Sequence, residues 1–277
     1  MRIAHLPVEY LWLIPLGFVV GAYGTLIGAG GGFLLVPILL LLYPQETPET
    51  ITSISLAVVF FNALSGSIAY ARLKRIEYRS GLIFSAATIP GAILGALTTG
   101  YVPRRLFDSI FGLLLIAVAV FLVLKPGGRE KDPRLCPPNH RTCTVTEVDG
   151  TVHRFSYNQP LGVTVSLAVG FVSSLLGIGG GIIHVPVLVH LLNFPVHIAT
   201  ATSHFVLANM ALTGTLTHLA TGAFTHGVRR TLLLSIGVLL GAQLGARFSG
   251  KIQGTWIIRG LAIALAAVGI RLLMKVL

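Results

Sequence analysis

Charged residues are scarce in this 277-residue sequence: 10% of it is Asp, Glu, Lys or Arg, whereas 54% is hydrophobic. A soluble domain of this length carries about a quarter charged residues, because they cover its water-facing surface. The composition therefore excludes an ordinary soluble protein. It predicts an all-α integral membrane protein that crosses the cytoplasmic membrane several times, with the lipid bilayer as its surroundings.

Acidic residues are the rarest charged residues, with 9 Asp and Glu against 20 Lys and Arg. None lies inside an apolar segment, and Asp108 stands only at the start of one. The sequence therefore lacks the buried carboxylates of a proton relay or of a sodium site in the style of many cation pumps. This absence favours an anionic substrate.

The net charge of +11 does not indicate nucleic-acid binding. The basic residues fall between apolar segments, and no basic face with interleaved aromatic residues exists. Cysteine is also scarce: Cys136 and Cys143 flank His140 at a spacing that makes a weak metal site. A metal site, a disulfide and uninvolved thiols stay open for this pair, and no cofactor is expected.

Apolar segments separated by charge, proline or glycine fill most of the chain. They cover residues 10–43, 50–71, 80–101, 106–124, 160–192, 198–222, 231–248 and 255–274. Hydrocarbon offers no water to backbone groups, and the runs are continuous rather than alternating, so we expect helices. A helix crosses the bilayer with ~20 residues, so the first and fifth segments are too long for one simple crossing.

The two long segments resemble each other, which indicates an internal duplication. Residues 21–37 read GAYGTLIGAGGGFLLVP, and residues 170–186 read GFVSSLLGIGGGIIHVP. We predict two homologous repeats of about four transmembrane segments each, 1–124 and 160–277. Residues 125–159 form a polar, solvent-exposed cytoplasmic linker, in which alternation around Asp149 and Gly150 over 144–155 predicts a small β-hairpin.

Two topologies fit these segments. With eight crossings and an internal N-terminus, Lys and Arg concentrate on the inside, which favours a parallel duplication. If each long segment is instead a re-entrant or broken hairpin, each half crosses an odd number of times and the repeats are inverted. Segment length and central glycines favour the second topology, whereas charge favours the first, which we prefer here.

Clustered glycines predict a break in the first segment of each repeat. Each glycine costs about 0.8–1 kcal/mol of helix propensity relative to Ala, and a proline follows each cluster. Inside a membrane a break must face protein or a wet cavity. The half-helix that follows it presents free N–H groups and a positive dipole end, which suit an anion. Close helix packing is the alternative, and we prefer it for Gly91, Gly95, Gly241 and Gly245.

We therefore predict an anion site between the two breaks. Hydroxyl, amide and imidazole groups from the next segment of each repeat complete it. The predicted substrate-binding residues are Gly28, Gly30, Gly31, Gly32, Ser53, Ser55, Asn62, Gly177, Gly179, Gly180, Gly181, Thr202, Ser203, His204 and Asn209. Protons are a candidate coupling ion through His184, His204 or His218. No catalytic residues are expected, because the Ser and His residues have no acidic partner and no Gly-x-Ser-x-Gly elbow.

The duplicated Gly-x-Gly-Gly-Gly with Val-Pro, at 28–37 and 177–186, and the Ala-Thr-Ala-Thr-Ser-His run at 199–204 resemble the sulfite exporter TauE/SafE family of membrane transporters. This family is also called the four-toluene-sulfonate uptake group. The resemblance covers nearly the whole chain apart from the linker. It implies a secondary transporter that moves sulfite, an organosulfonate or a similar anion across the cytoplasmic membrane by alternating access.

The first repeat departs from this pattern. Residues 51–55 are a blurred version of the run in the second repeat and lack a counterpart of His204. Two other functions stay open: a passive anion channel, and a membrane scaffold or sensor subunit that docks through residues 125–159. The oligomeric state is also open.

Overall fold

The computed structural model describes residues 10–124, 140–224, 227–249 and 255–276, and these are mostly helical. The first half contains α1 (Leu13–Leu26), α2 (Gly32–Leu42), α3 (Pro48–Arg72), α4 (Tyr78–Thr99) and α5 (Arg104–Leu124). Strands β1 (His140–Thr146) and β2 (Val152–Asn158) follow. The second half contains α6 (Gln159–Leu176), α7 (Gly181–His190), α8 (Val196–Ala220), α9 (Val228–Phe248) and α10 (Thr255–Val276).

Local sequence signals determine where some helices begin. The Thr47 hydroxyl accepts a hydrogen bond from the Thr50 amide at the start of α3, and Pro48 is the first helical residue. Asn158 caps α6 in the same way, by accepting from the Leu161 amide. Among the described helices, α3, α4, α6 and α9 are long and apolar enough to cross a membrane. These four helices support the predicted helical membrane protein with several crossings.

Helices α3 and α8 lie side by side at the centre and run antiparallel. Gly66, near the end of α3, packs against the ring of His204, near the start of α8. Leu56, near the start of α3, packs against Gly214, near the end of α8. Because α3 is the most buried of the four membrane-length helices, this pair forms the core around which the other helices are arranged.

Two further helix pairs run parallel and approach closely. The carbonyls of Phe18 and Ala22 on α1 lie against Gly241 and Gly245 on α9. Likewise, the carbonyls of Leu167 and Phe171 on α6 lie against Gly91 and Gly95 on α4. A Cβ at any of these glycines would overlap the neighbouring backbone, so the small residues permit the approach. These contacts show the close packing expected for the four glycines.

The directions of the helices require α2 to return the chain to the face where α1 began. Helix α9 runs parallel to α1, and it also runs parallel to α3, since Ile54 contacts Gly227 and the Ser65 hydroxyl donates to the Leu239 carbonyl. Helices α1 and α3 therefore start at the same face. Each half consists of a helical hairpin, α1–α2 or α6–α7, followed by three helices that alternate in direction.

The parallel duplication preferred on loop charge is therefore wrong. It would orient α3 and α8 in the same direction, whereas they are antiparallel. The first long segment forms two short helices, of 14 and 11 residues, instead of one crossing. The distribution of Lys and Arg cannot detect such a return, because no charged loop marks the turn between the two short helices.

One face of the β-hairpin packs onto the ends of the helices and the other face is exposed to solvent, so residues 140–158 are an ordered hairpin and not a free linker. Strands β1 and β2 pair antiparallel, from His140 opposite Asn158 to Thr146 opposite Val152. Phe155 and Tyr157 are buried against Phe194 of the α7–α8 connection. The two strands form a hairpin around Asp149 and Gly150, where the alternating pattern predicts one.

The cysteine pair is described only in part. Cys143 is a buried free thiol in β1, and burial raises the pKa of this thiol above its ordinary value. A raised pKa lowers the thiolate fraction and hence the reactivity of the thiol. Cys136 lies outside the described residues, as does the rest of 125–139.

Polar contacts attach the turn of the hairpin to the α3–α4 connection. Glu147 accepts from Arg75 Nε at 2.6 Å and lies 3.0 Å from His153 Nε2. The Val148 amide donates to the Leu73 carbonyl. At the exposed tip, the Thr151 amide donates to Asp149 and lowers the pKa of that carboxyl. The hairpin is therefore a fixed part of one face of the protein.

Labelling of single cysteines tests the helix directions. In a variant with Cys136 and Cys143 replaced by Ala, we introduce Gln45→Cys, Arg79→Cys, Val196→Cys or Val228→Cys, all at exposed positions. The structure places positions 45 and 228 at one face and positions 79 and 196 at the other. In intact cells, a membrane-impermeant maleimide is expected to label one pair and not the other. Joint labelling of positions 45 and 196 would instead support the parallel topology.

Candidate functional site

The glycine clusters form two loops of similar backbone conformation. Helix α1 ends at Leu26 and α2 begins at Gly32; between them Gly28, Gly30 and Gly31 have φ of 75°, 74° and 80°. Helix α6 ends at Leu176 and α7 begins at Gly181. There Gly177, Gly179 and Gly180 have φ of 69°, 79° and 75°. L side chains rarely adopt these values, so glycine is required by the backbone itself.

The two glycine loops contact each other. Gly181 packs against the Gly28 carbonyl and Ala29, while Gly32 packs against the Gly177 carbonyl and Ile178. A Cβ at Gly32 or Gly181 would overlap the opposite loop. The two loops are thus in direct backbone contact, with no side chain between them at these points.

The contact between the loops lies beside the middle of the central helix pair. Gly30 packs against Val59 and Leu207, and Gly179 packs against Val59. Val59 lies near the middle of the 25-residue helix α3, and Leu207 lies near the middle of the 25-residue helix α8. Because these helices are long enough to span a bilayer, the loops lie near the middle of the hydrocarbon.

Backbone amides at the start of α2 and α7 are left without partners. Within the described residues, the amides of Gly31, Gly32 and Phe33 donate no hydrogen bond, and neither do those of Gly179, Gly180 and Ile182. Such groups are costly in hydrocarbon. Both helix N-termini also carry about half a positive charge. The loops therefore present hydrogen-bond donors and positive potential in a region where the described residues place no Lys or Arg.

Two of the predicted serines border the loops or lack a partner. The Ser55 hydroxyl donates to the Gly177 carbonyl at 2.6 Å, which ties α3 to the second loop. Ser203, which lies 148 residues later on α8, is fully buried and its hydroxyl has no partner among the described residues. Among the described residues, Ser203 therefore does not make to the first loop the hydrogen bond that Ser55 makes to the second.

A second polar cluster joins α1, α3 and α8 beside the first loop. The Thr25 hydroxyl donates to Asn62 Oδ1 at 3.2 Å and lies 3.2 Å from His204 Nε2. The Tyr70 hydroxyl donates to the Thr25 carbonyl at 2.7 Å. All four residues are at most 1% exposed. The structure thus brings the predicted residues Asn62 and His204 together through Thr25.

Three predicted residues make their contacts elsewhere. The Ser53 hydroxyl donates to the Thr50 carbonyl of its own helix. Thr202 accepts from the Glu77 amide, before α4, and Asn209 donates to Ser85 of α4 and to its own helix. Thr202 and Asn209 therefore face α4 and not the glycine loops, because they project from the other side of α8.

Several buried polar atoms near the loops have no partner among the described residues. They are Asn62 Nδ2, Ser173 Oγ, Ser174 Oγ, Ser203 Oγ and His204 Nδ1. A Cβ at Gly180 would lie 2.7 Å from Ser173 Oγ, so this hydroxyl reaches the second loop. Buried groups of this kind usually have a partner. Their grouping indicates a place for water or for a polar ligand.

Sequence reasoning missed Thr25, Tyr70, Ser173 and Ser174. Thr25 and Ser174 occupy matching places in the two long segments, just before each glycine cluster. A polar residue at the same place in both segments could have indicated that these positions belong to the site. Tyr70 carried none, since a tyrosine near the end of an apolar helix is ordinary at a membrane interface.

Comparison with known proteins identifies the family. The family model described as sulfite exporter TauE/SafE matches residues 13–272. The chain belongs to the sulfite exporter TauE/SafE family. It is therefore a membrane transporter protein of that family, as the resemblance of its glycine motifs implied.

Relatives of similar length carry matching names. Probable membrane transporter protein YunE of Bacillus subtilis is 32% identical over 96% of this chain and 97% of its own length. Probable membrane transporter protein MJ0441 of Methanocaldococcus jannaschii is 26% identical, with coverage of 91% and 92%. Probable membrane transporter protein ORF9 of a Sinorhizobium species is 29% identical, with coverage of 95% and 91%. No solved structure matches the chain described here.

The bond from Ser55 to the second loop can be tested against its neighbour Ser53. Ser55→Ala leaves the Gly177 carbonyl without its side-chain donor, which we expect to cost about 1–3 kcal/mol of stability. Ser53→Ala removes a hydrogen bond within one helix turn and is expected to cost less. Thermal unfolding of the purified protein in detergent measures both. Equal losses of stability would show that Ser55 does not hold the loop.

Proposed function

We propose that this family member is a secondary transporter of a small sulfur-containing oxyanion, such as sulfite or an organosulfonate. The anion binds between the two glycine loops. The observation that carries the proposal is the pair of helix N-termini, α2 and α7, whose unpartnered amides meet near the middle of the protein. An anion at that place accepts hydrogen bonds from donors that otherwise have none.

The charge distribution of the described helices supports an anion as the substrate. Asp108 lies at the start of α5 and bonds to Arg104, so it is held at the helix end. No acidic residue in the described part of the chain lies near the glycine loops. Partial charges of helix ends attract an anion less strongly than a lysine or arginine would. Such a site can bind and also release its substrate.

The description of the family supports sulfur as the central atom of the anion. Sulfite and sulfonates present three oxygens in a compact group, and each oxygen accepts more than one hydrogen bond. The site offers amides from both loops and the free hydroxyls of Ser173 and Ser203. Donors that converge from several directions suit such a group better than a single donor would.

Alternating access follows from two similar halves that face opposite sides. We propose that residues 1–124 and 160–277 are copies of one unit, joined by 125–159. Their similar glycine loops and the antiparallel α3 and α8 support an inverted repeat. The direct contact between the loops corresponds to a closed site. Rocking of one helical hairpin away from the other would open the site to one face at a time.

We propose that the face with the β-hairpin is cytoplasmic, in the cytoplasmic membrane. Among the described residues, this face carries the basic side chains of Arg72, Lys74, Arg75, Arg79, Arg141, Arg154 and Arg247. The other face carries Arg104, Arg105, Arg229, Arg230 and Arg271. The excess supports this orientation by the positive-inside rule. The start of α1 then lies outside, opposite to the orientation assumed from the sequence.

Glycine substitutions test the backbone site. Gly31→Ala and Gly180→Ala are expected to abolish uptake of radiolabelled sulfite into proteoliposomes, because a Cβ strains the loop and displaces the amides. Gly150→Ala is the matched control: its φ is 88°, but nothing lies within 4 Å of the added Cβ. Unchanged, saturable uptake in both loop variants would contradict the proposed site. Uptake that never saturates in the unaltered protein would indicate a channel.

Thermal stabilisation by anions tests binding without transport. A ligand at a hundredfold excess over its Kd adds ~2.7 kcal/mol of stability. We expect a selective rise in Tm with sulfite, thiosulfate or a sulfonate, relative to chloride and acetate. The rise should disappear in Gly180→Ala. Equal Tm values with every anion would count against an oxyanion site and would favour a scaffold role.

A further inference from the structure

His204 is the imidazole that the structure places beside the first glycine loop. It is 0% exposed, and its ring packs against Gly66 of α3. Its Nε2 lies 3.2 Å from the hydroxyl of Thr25, which stands near the end of α1 just before the loop. His184 points elsewhere, since its Nε2 lies 3.3 Å from Ser166 and its ring meets Phe84. His204 is therefore the histidine that shares its surroundings with the proposed anion site.

Hydrogen bonds determine which nitrogen of His204 carries the proton. The single proton of the Thr25 hydroxyl is donated to Asn62 Oδ1. With that proton engaged, Thr25 Oγ1 is an acceptor for His204 Nε2, which assigns the hydrogen of the neutral ring to Nε2. Nδ1 is then a bare acceptor, and it has no partner among the described residues. This atom is free to take up a proton.

Only one half of the protein carries this imidazole. Ser55 and Ser203 lie 148 residues apart, and at the same spacing Leu56 corresponds to His204. The contacts agree: Gly66 packs against His204 and Thr25, whereas Gly214 packs against Leu56 and Ser174. Binding of the anion alone would not require the two halves to differ at this position. A single imidazole provides one proton-binding group in each transport cycle.

The residues that pack around the His204 ring are neutral side chains. Tyr70 of α3 is the titratable group that faces it, with the two rings edge to face at 5.6 Å between centroids. Thr25 of α1 and Asn62 of α3 are neutral, and Phe205 follows it on α8. Among the ion pairs of the described residues, none includes His204. An imidazolium there would have the transported anion as its counter-ion.

We propose that His204 carries the proton that is coupled to anion transport, with Thr25 as the residue that positions its ring. This inference rests on the proposed function. Nδ1 binds a proton from solution while the site is open to one face, and the imidazolium forms an ion pair with the oxyanion. After the change of access, the anion leaves and Nδ1 returns the proton to the solution at the other face. The net result is the movement of one anion and one proton in the same direction.

Proteoliposomes with an imposed pH gradient test the coupling. Radiolabelled sulfite is the probe, with a pH-sensitive dye inside the vesicles. In the unaltered protein, an acidic exterior is expected to drive accumulation of sulfite and entry of protons. His204→Gln keeps an N–H group for Thr25 but cannot be protonated, so we expect it to lose both gradient-driven effects. The matched buried variants His184→Gln and His218→Gln are expected to keep them.

Thr25→Val provides a second variant that stays informative if His204→Gln does not fold. Val removes the acceptor of the Nε2 hydrogen, so the pH dependence of gradient-driven sulfite uptake is expected to shift while the coupling persists. An unshifted pH profile would contradict the positioning role.

The proposal would be overturned if His204→Gln accumulated sulfite along the pH gradient as well as the unaltered protein does. It would also be overturned if the His184→Gln and His218→Gln variants lost this accumulation to the same extent as His204→Gln. Sulfite exchange without any response to the pH gradient in the unaltered protein would also overturn it, yet would leave the proposed function intact. Absence of flux in the unaltered protein, with sulfite and also with a radiolabelled organosulfonate, would contradict the proposed function itself.

Discussion

Backbone groups inside hydrocarbon need hydrogen-bond partners, and this requirement governs the whole structure. Each half interrupts a helix near the middle of the membrane, so amides and carbonyls that a continuous helix would pair are released. Some of these groups find partners within the loop, as when the Gly30 amide donates to Gly24. Others meet the opposite loop or remain unpartnered. The glycine loops can therefore exist only where protein surrounds them, beside the middle of α3 and α8.

The same requirement explains why the two halves interlock. Helix α1 of the first half lies along α9 of the second, and α6 of the second lies along α4 of the first. Glycines on α4 and α9 let these pairs approach until backbones touch. Each loop is thus held in place by the other half. Neither half can present its loop at the centre alone.

The two faces of the protein differ although the halves are similar. One face carries the β-hairpin, which Arg75 and Glu147 attach to the α3–α4 connection. At the other face, Arg230 pairs with Glu46 at 2.8 Å and stacks on Tyr43. The interior is also uneven, since His204 stands in one half and Leu56 in the other. The proposed proton coupling uses this difference, because Leu56 has no group that can bind a proton.

Much of this arrangement was readable from the sequence, and the exceptions have physical causes. The apolar segments, the glycine clusters and the pairing around Asp149 and Gly150 are local signals, and the structure has helices, glycine loops and a hairpin there. Helix direction is not local: it depends on how the chain turns inside the membrane, where no charge marks the turn.

The side chains of the candidate site show the same limit. Ser55 and Asn62 were found because they are polar residues in an apolar helix. Thr202 and Asn209 satisfy that description equally well, yet they face α4. Only packing reveals which side of α8 points to the loops. Thr25 was overlooked because it lies within the long segment itself, and its role depends on residues 37 and 179 positions away.

The proposed transport depends on an oxyanion that binds between the two glycine loops. Its most direct test is a crystal structure with selenite, the heavier analogue of sulfite, in which anomalous scattering locates the selenium atom. We expect one anomalous peak within hydrogen-bonding distance of the amides of Gly31 or Gly32 and of Gly179 or Gly180. A peak elsewhere in the protein, with the loops still in direct contact, would contradict it.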